Sequence, residues 1–217
     1  MADFAELRER MVRRQIESRG IANSMILDAF REVPREQFVD EEHRRWAYDD
    51  HPLPIEAGQT ISQPYIVALM IDAAEIAPGD RVLEVGAGSG YAAAIISRIA
   101  AEVVGMERQP ALAEVARDRL DHLGYCNVKI VEGDGTRGCP AEAPFDAILA
   151  AASGSHVPTS LLGQLAPGGR LVMPVGDRSG TQQLVKMTKR SDGTTTEQNL
   201  GEVRFVPLIG EEGWRER

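Results

Sequence analysis

Cysteine is scarce in this chain: Cys126 and Cys139 stand alone among 217 residues, with no CxxC spacing. Two such residues make no disulfide framework, and both read as reduced bystanders. Histidine is nearly as sparse, with His43, His51, His122 and His156 scattered and no metal-ligand cluster among them. Metal catalysis is therefore not expected. Long apolar runs are missing too, none approaching the roughly 18 residues of a membrane span. The opening "MADFAELRERMVRRQ" is charged from residue 3 onward and has no signal pattern, so a cytoplasmic location is the default expectation. Positive charge is in the minority, 24 Lys and Arg against 33 Asp and Glu, for a net −9. An acidic balance argues against nucleic acid as a partner, because phosphate binding needs a basic face. It is compatible with a cationic ligand without selecting one.

What is present is an ordinary globular composition, 43% hydrophobic and 26% charged, long enough for one well-buried domain. Phe4, Leu7, Met11 and Ile16 recur at helical spacing behind Asp3, a plausible N-cap, and Gly20 is a plausible stop. A second helix is expected over about 23–33, ended by Pro34. The stretch "REQFVDEEHRRWAYDDHPLPIEAGQ" is loop-rich, and loops of that length in compact domains are usually functional or carry short elements of their own. From residue 64 the pattern becomes regular: a helix over 64–76, then strands "RVLEV", "EVVGME", "NVKIVEG", "FDAILAAA" and "GRLVMPVG" alternating with helices. Such alternation means βαβ units around a parallel sheet. The tail segments "TQQLVKMTKR" and "TEQNLGEVRFVPLI" alternate around an "SDG" turn and predict an antiparallel hairpin at one sheet edge. The expected architecture is one α/β domain with a doubly wound, mostly parallel sheet. Its parts are N-terminal helices and a covering segment (1–63), a βα core (64–176) and the C-terminal hairpin (177–217).

Three strand ends carry candidate ligand contacts. "VGAGSG" puts Gly86, Gly88 and Gly90 between a strand and a helix, where the backbone can turn tightly and approach a ligand. Glu107 ends the next strand, 21 residues past Gly86, where an acidic side chain can take both hydroxyls of a ribose. Asp134 ends the third, in "EGDG". A dinucleotide fingerprint would want glycine where the chain has Tyr91, no GK[ST] is present, and Glu84 would repel a phosphate. An adenosyl group with a cationic amino-acid tail, S-adenosylmethionine, meets every one of these points.

"QTISQPYIVALM" raises a separate question, because a helix cap needs one hydroxyl and this approach offers two. Pro64 disfavours helical geometry at Gln63, so 60–63 should be extended, with Thr60 and Ser62 facing the same way.

"VLEVGAGSGY" resembles the first motif of class I methyltransferases. Together with "HPLPIEAGQTISQPYIVALM", "EGDGTRG", "APFDAILAAA", "QLAPGGRLVMPVG" and "VRFVPLIGEEGW", in that order, it makes the whole chain similar to the protein-L-isoaspartate O-methyltransferases. "TISQP" is the most discriminating element. The loop "AASGSHVP" and Ile209 depart from what many relatives carry.

The resemblance implies a Rossmann-like fold, S-adenosylmethionine as cofactor with S-adenosylhomocysteine as product, and isoaspartyl peptides and proteins as substrates; apart from the resemblance, a monomer is the default expectation. It implies cofactor contacts from Thr60, Ile61, Ser62, Gln63, Glu84, Gly86, Gly88, Glu107, Arg108, Asp134 and Gly135. It places substrate contacts on Ser62, Val206, Pro207 and Leu208, and it makes Ser62 the catalytic hydroxyl. Plainer readings stay open: Glu107 as an exposed strand-end carboxylate, Asp134 as an Asx-turn, Thr60 or Ser62 as a shifted N-cap. For the whole chain, a small-molecule methyltransferase or a non-catalytic cofactor-binding protein of the same fold also remains.

Overall fold

The computed structural model describes residues 3–216. Helix α1 (Phe4–Met11) starts where expected because the Asp3 carboxylate accepts the free N–H groups of Ala5 and Glu6. It runs on through a wide turn at Val12–Ile16 to Gly20, whose φ of 99° ends it. Asn23 caps α2 (Ser24–Glu32) in the same way, through the N–H of Met25. The loop-rich stretch does carry short elements. Short helical segments at Arg35–Phe38, Glu41–Trp46 and Glu56–Gly58 accompany a two-residue antiparallel pairing of β1 (Leu53–Pro54) with β2 (Thr60–Ile61).

Helix α3 (Pro64–Ala73) is shorter than the expected 64–76. Arg170, far along the chain, donates to the carbonyls of Ala74 at 2.7 Å and Glu75 at 2.6 Å and to the Asp80 carboxylate at 2.9 Å. Those bonds draw the backbone off the helical path, and Glu75 takes a positive φ of 52°.

The core then alternates β3 (Arg81–Val85), α4 (Tyr91–Ser97), β4 (Glu102–Glu107), α5 (Pro110–His122), β5 (Val128–Glu132), β6 (Phe145–Ala150), α6 (Thr159–Gly163) and β7 (Leu165–Gly176). The hairpin strands β8 (Gln182–Lys189) and β9 (Thr195–Val203) complete a seven-stranded sheet of order β5-β4-β3-β6-β7-β8-β9. Its first four junctions are parallel and the last two antiparallel. This is the doubly wound, Rossmann-like sheet that the alternation predicts. Val82, Leu83, Val103, Val104, Ala147 and Ile148 are fully buried, as strands covered on both faces must be.

The chain leaves β3 toward β4 and β5 and returns to the other side of β3 as β6. That reversal opens a crevice at the carboxyl ends of β3, β4 and β6, the place where open α/β sheets bind ligands.

One strand ends early. β9 stops at Val203 and not near residue 208, because the N–H of Phe205 is taken by the buried Gln182 side chain at 2.8 Å. Beyond it the backbone runs beside Ser153 instead, with Ser153 N–H to Val206 C=O and Leu208 N–H to Ser153 C=O, both 2.8 Å. The exposed β9 edge is polar along "TTEQNLGEV", and its register slips against β8 between Leu184 and Val185.

Candidate functional site

The crevice holds a cavity of about 260 Å³. The glycine turn after β3 forms its floor. Gly86 and Gly88 have φ of 85° and 54°, a conformation a side chain would strain, and no Cβ intrudes between backbone and cavity. Gly135, in the turn after β5, is packed so closely that a Cβ would lie 2.6 Å from the Val85 side chain. Thr60, Ile61 and Ser62 cover the opposite side, and Val206, Pro207 and Leu208 close the mouth with Ile209. The covering segment is bolted down by Arg119, which donates to the Ser89 carbonyl and the Glu56 carboxylate, both at 3.0 Å.

Glu107 is buried, so the reading of an exposed strand-end carboxylate does not fit the fold. Its Oε2 accepts from the Gly88 N–H at 3.0 Å and its Oε1 from the Gln109 N–H at 2.9 Å. Each oxygen keeps a lone pair, enough for a diol beside it. Arg108 also lines the cavity, and its guanidinium reaches Glu216 at 2.9 Å.

Glu84 is 2% exposed, and its Oε2 has no hydrogen-bond partner among the described residues. Burial, then the neighbouring charge of Glu107, pushes its carboxyl up to about 8. A buried acceptor without a donor is costly unless a ligand supplies one. The cavity thus pairs an orphaned carboxyl oxygen with side-chain-free backbone and an acceptor set for a diol. That donor set fits an adenosyl ligand with a cationic amino-acid tail.

The Ser62 hydroxyl also has no partner among the described residues, and the Gln63 position that caps α3 makes no side-chain cap bond. The shifted-cap reading is not what the chain adopts. Two expected cofactor contacts are engaged by the protein itself. The Gln63 amide donates to the Asp50 carbonyl at 3.1 Å. Asp134 accepts from the Thr136 N–H and hydroxyl and from the Glu211 N–H, at 2.9, 2.7 and 2.8 Å. Burial works against ionisation there, but those donors, led by the Glu211 N–H, hold the carboxyl below its usual range. Asp134 thus makes the Asx-turn of the plainer reading while its Oδ2, which accepts only the Glu211 N–H, keeps a lone pair, and neither residue lies on the cavity wall. Tyr91 and Gln59, which do, are not among the contacts expected from the sequence.

Glu84 makes the site pH-dependent in a definite sense. Its folded carboxyl titrates near 8, well above an ordinary Glu. The ligand-free protein therefore loses stability as pH rises from about 4.5 to about 8, since the unfolded state sheds that proton first. Glu84→Gln is expected to melt higher than the parent at pH 8 and to gain nothing near pH 4.5. Binding of S-adenosylhomocysteine, whose ammonium calls for the ionised carboxylate, should tighten between pH 6 and 8 by up to about tenfold per unit. Calorimetric titration of the variant should show that rise abolished, and a parallel rise in both proteins would acquit Glu84.

The family model for protein-L-isoaspartate(D-aspartate) O-methyltransferase (PCMT) matches residues 6–213. Protein-L-isoaspartate O-methyltransferase 1 of Rhodopseudomonas palustris (strain HaA2) is 56% identical over 211 residues, 97% of this chain and 86% of that protein. A solved protein-L-isoaspartate O-methyltransferase superposes with a TM-score of 0.87 at 31% identity, over 95% of this chain and 67% of its own. A Plasmodium falciparum structure described as a protein-L-isoaspartate O-methyltransferase in complex with S-adenosyl-L-homocysteine gives 0.80 at 27% identity, over 93% and 98%. The chain belongs to the protein-L-isoaspartate(D-aspartate) O-methyltransferase family.

Proposed function

We propose that this chain methylates the free α-carboxylate of L-isoaspartyl residues in damaged proteins and peptides, using S-adenosylmethionine, and so starts their repair. The observation that carries the reading is the placement of the unpartnered Ser62 hydroxyl on the cavity wall opposite the glycine turn and the orphaned Glu84 oxygen. S-adenosylmethionine is the family's cofactor, and when bound it supplies a methyl on a sulfonium, whose C–S bond breaks as the carboxylate forms its C–O bond.

An isoaspartyl carboxylate has an ordinary pKa of about 4, so at neutral pH it is already the nucleophile. No general base is needed, which fits a cavity without histidine on its wall. The protein's task is to align, a proximity effect that supplies up to ~7–11 kcal/mol. Glu107 takes the ribose hydroxyls, Glu84 faces the cationic tail, the Gly135 backbone lies beside the base, and the Ser62 hydroxyl donates to the attacking carboxylate. Asp134 holds the Gly135 turn from behind. The two free cysteines fit a cytoplasmic setting, and the polar β9 edge fits a monomer.

The deciding assay is transfer of labelled methyl to an isoaspartyl peptide, with the aspartyl isomer as control. Equal labelling of both would overturn the reading in favour of a general methyltransferase.

Val206, Pro207 and Leu208 suit substrate contact. One side of this segment is fixed to Ser153, while the carbonyls of Phe205 and Pro207 have no partner among the described residues. A peptide held through such backbone groups is bound whatever its flanking side chains. Isoaspartyl peptides of unrelated sequence should therefore be methylated with kcat/KM values within about tenfold of one another, and dependence on one flanking sequence would count against backbone pairing.

A further inference from the structure

Arg35 is fully buried, 0% exposed, in the helical turn before the covering segment. A buried guanidinium normally has a carboxylate beside it, yet among the described residues Arg35 forms no ion pair. Its neighbour Glu36 is engaged by Arg8 at 3.3 Å and by the Tyr48 hydroxyl. Arg35 instead spends its fork on backbone: Nε donates to the Ala47 carbonyl at 2.7 Å and Nη2 to the Ser62 carbonyl at 2.8 Å. The guanidinium carbon lies 4.8 Å from the ring centroid of Tyr91, the first residue of α4 after the glycine turn and itself on the cavity wall. Nη1 has no partner.

For anchoring alone this is a poor choice, because an uncompensated buried charge is costly and an apolar side chain of similar volume often packs as well or better. What an apolar side chain cannot do is hold two carbonyls and an aromatic face in one rigid plane. Among the described residues Arg35 is the only partner of the Ser62 carbonyl, and the Ser62 hydroxyl makes no bond of its own. The position of that hydroxyl is therefore set by its backbone, and its backbone by Arg35. We infer that Arg35 is a positioning residue for methyl transfer, tying Ser62 on the covering segment to Ala47 and to the Tyr91 ring on the cofactor side, and so fixing where the Ser62 hydroxyl stands over the cavity. This rests on the role assigned to Ser62 above.

The test is a double-mutant cycle on the full chain with Arg35→Met, Arg35→Lys and Ser62→Ala, each with and without its partner change. Arg35→Met removes a buried charge but leaves the Ala47 and Ser62 carbonyls without that donor, so its melting temperature is measured beside kcat. Arg35→Lys keeps the charge but cannot span both carbonyls. Both should lower kcat for an isoaspartyl peptide about fivefold while S-adenosylhomocysteine, measured by calorimetry, binds within twofold of normal. In the Ser62→Ala background the same changes should cost less than twofold, because the group they position is gone. A lowered melting temperature with normal kcat in both Arg35 variants would make the residue merely structural and overturn the inference. So would a full fivefold loss repeated on top of Ser62→Ala. Should Ser62→Ala itself turn over normally, the reading of Ser62 falls and takes this inference with it. A normal Ser62 effect beside an unaffected Arg35→Met overturns the inference alone.

Discussion

Ser62→Ala is expected to methylate an isoaspartyl peptide at least ten times more slowly than the parent while melting at the same temperature and binding S-adenosylhomocysteine normally. The three readouts belong together. A serine capping α3 would contribute ~0.5–2 kcal/mol of stability, and its loss would move the melting temperature. The helix instead begins with Pro64 at its first position, needs no N–H there, and receives no side-chain bond from the preceding residue. Removing the hydroxyl thus leaves folding alone. It also leaves the cofactor floor alone, because Gly86 and Gly88, in the turn after β3, and Glu107, at the end of β4, sit across the cavity. What disappears is one donor to the attacking carboxylate, and such positioning contacts act on turnover. A variant with normal turnover and a lowered melting temperature would return Ser62 to the helix.

Glu107→Gln should weaken binding of S-adenosylhomocysteine by tenfold or more. A hydrogen bond to a charged acceptor contributes roughly 1.5–3 kcal/mol, and about 1.4 kcal/mol is a factor of ten. The geometry adds a second loss. Both carboxylate oxygens already accept a backbone N–H, from Gly88 and from Gln109. An amide offers only one acceptor oxygen, so its NH₂ must face one of those N–H groups, and the glycine turn or the start of α5 gives way. A lower melting temperature of the ligand-free variant is expected alongside the weaker binding. There is a further signature, because the charge of Glu107 is the second cause of the raised Glu84 carboxyl. With that charge gone, the pH at which binding levels off should move down. Calorimetry at several pH values reads all of this, and an unaltered dissociation constant would remove the ribose from Glu107.

The parallel core was legible because buried strands are apolar runs and their helices are amphipathic, both local patterns. What escaped depends on partners far along the chain. α3 ends at Ala73 because Arg170 takes the carbonyls of Ala74 and Glu75 just beyond it, and β9 ends at Val203 because Gln182 takes the Phe205 N–H. Nothing local to Asp134 reveals Glu211 as a donor to it, 77 residues on. Arg35 was passed over for a different reason. A charged residue in a loop-rich stretch reads as solvated surface, and only the fold shows it buried with two carbonyls. The site residues that were legible are those whose chemistry sits at strand ends, where the parallel topology alone decides that they converge.

The outer strand of the sheet matters for the company this protein keeps. Its substrates are damaged chains carrying isoaspartyl residues, and any partly unfolded chain presents bare strands that can pair with an open sheet edge. A long, flat, apolar border would invite them to extend the sheet and to carry the enzyme into the aggregate. β9 discourages this with glutamates, glutamine and asparagine along its rim, a slip in its register, and Gly201 at a φ of 117° that breaks its line. The protein can therefore handle sticky molecules at its mouth while this rim of the sheet offers them little to pair with.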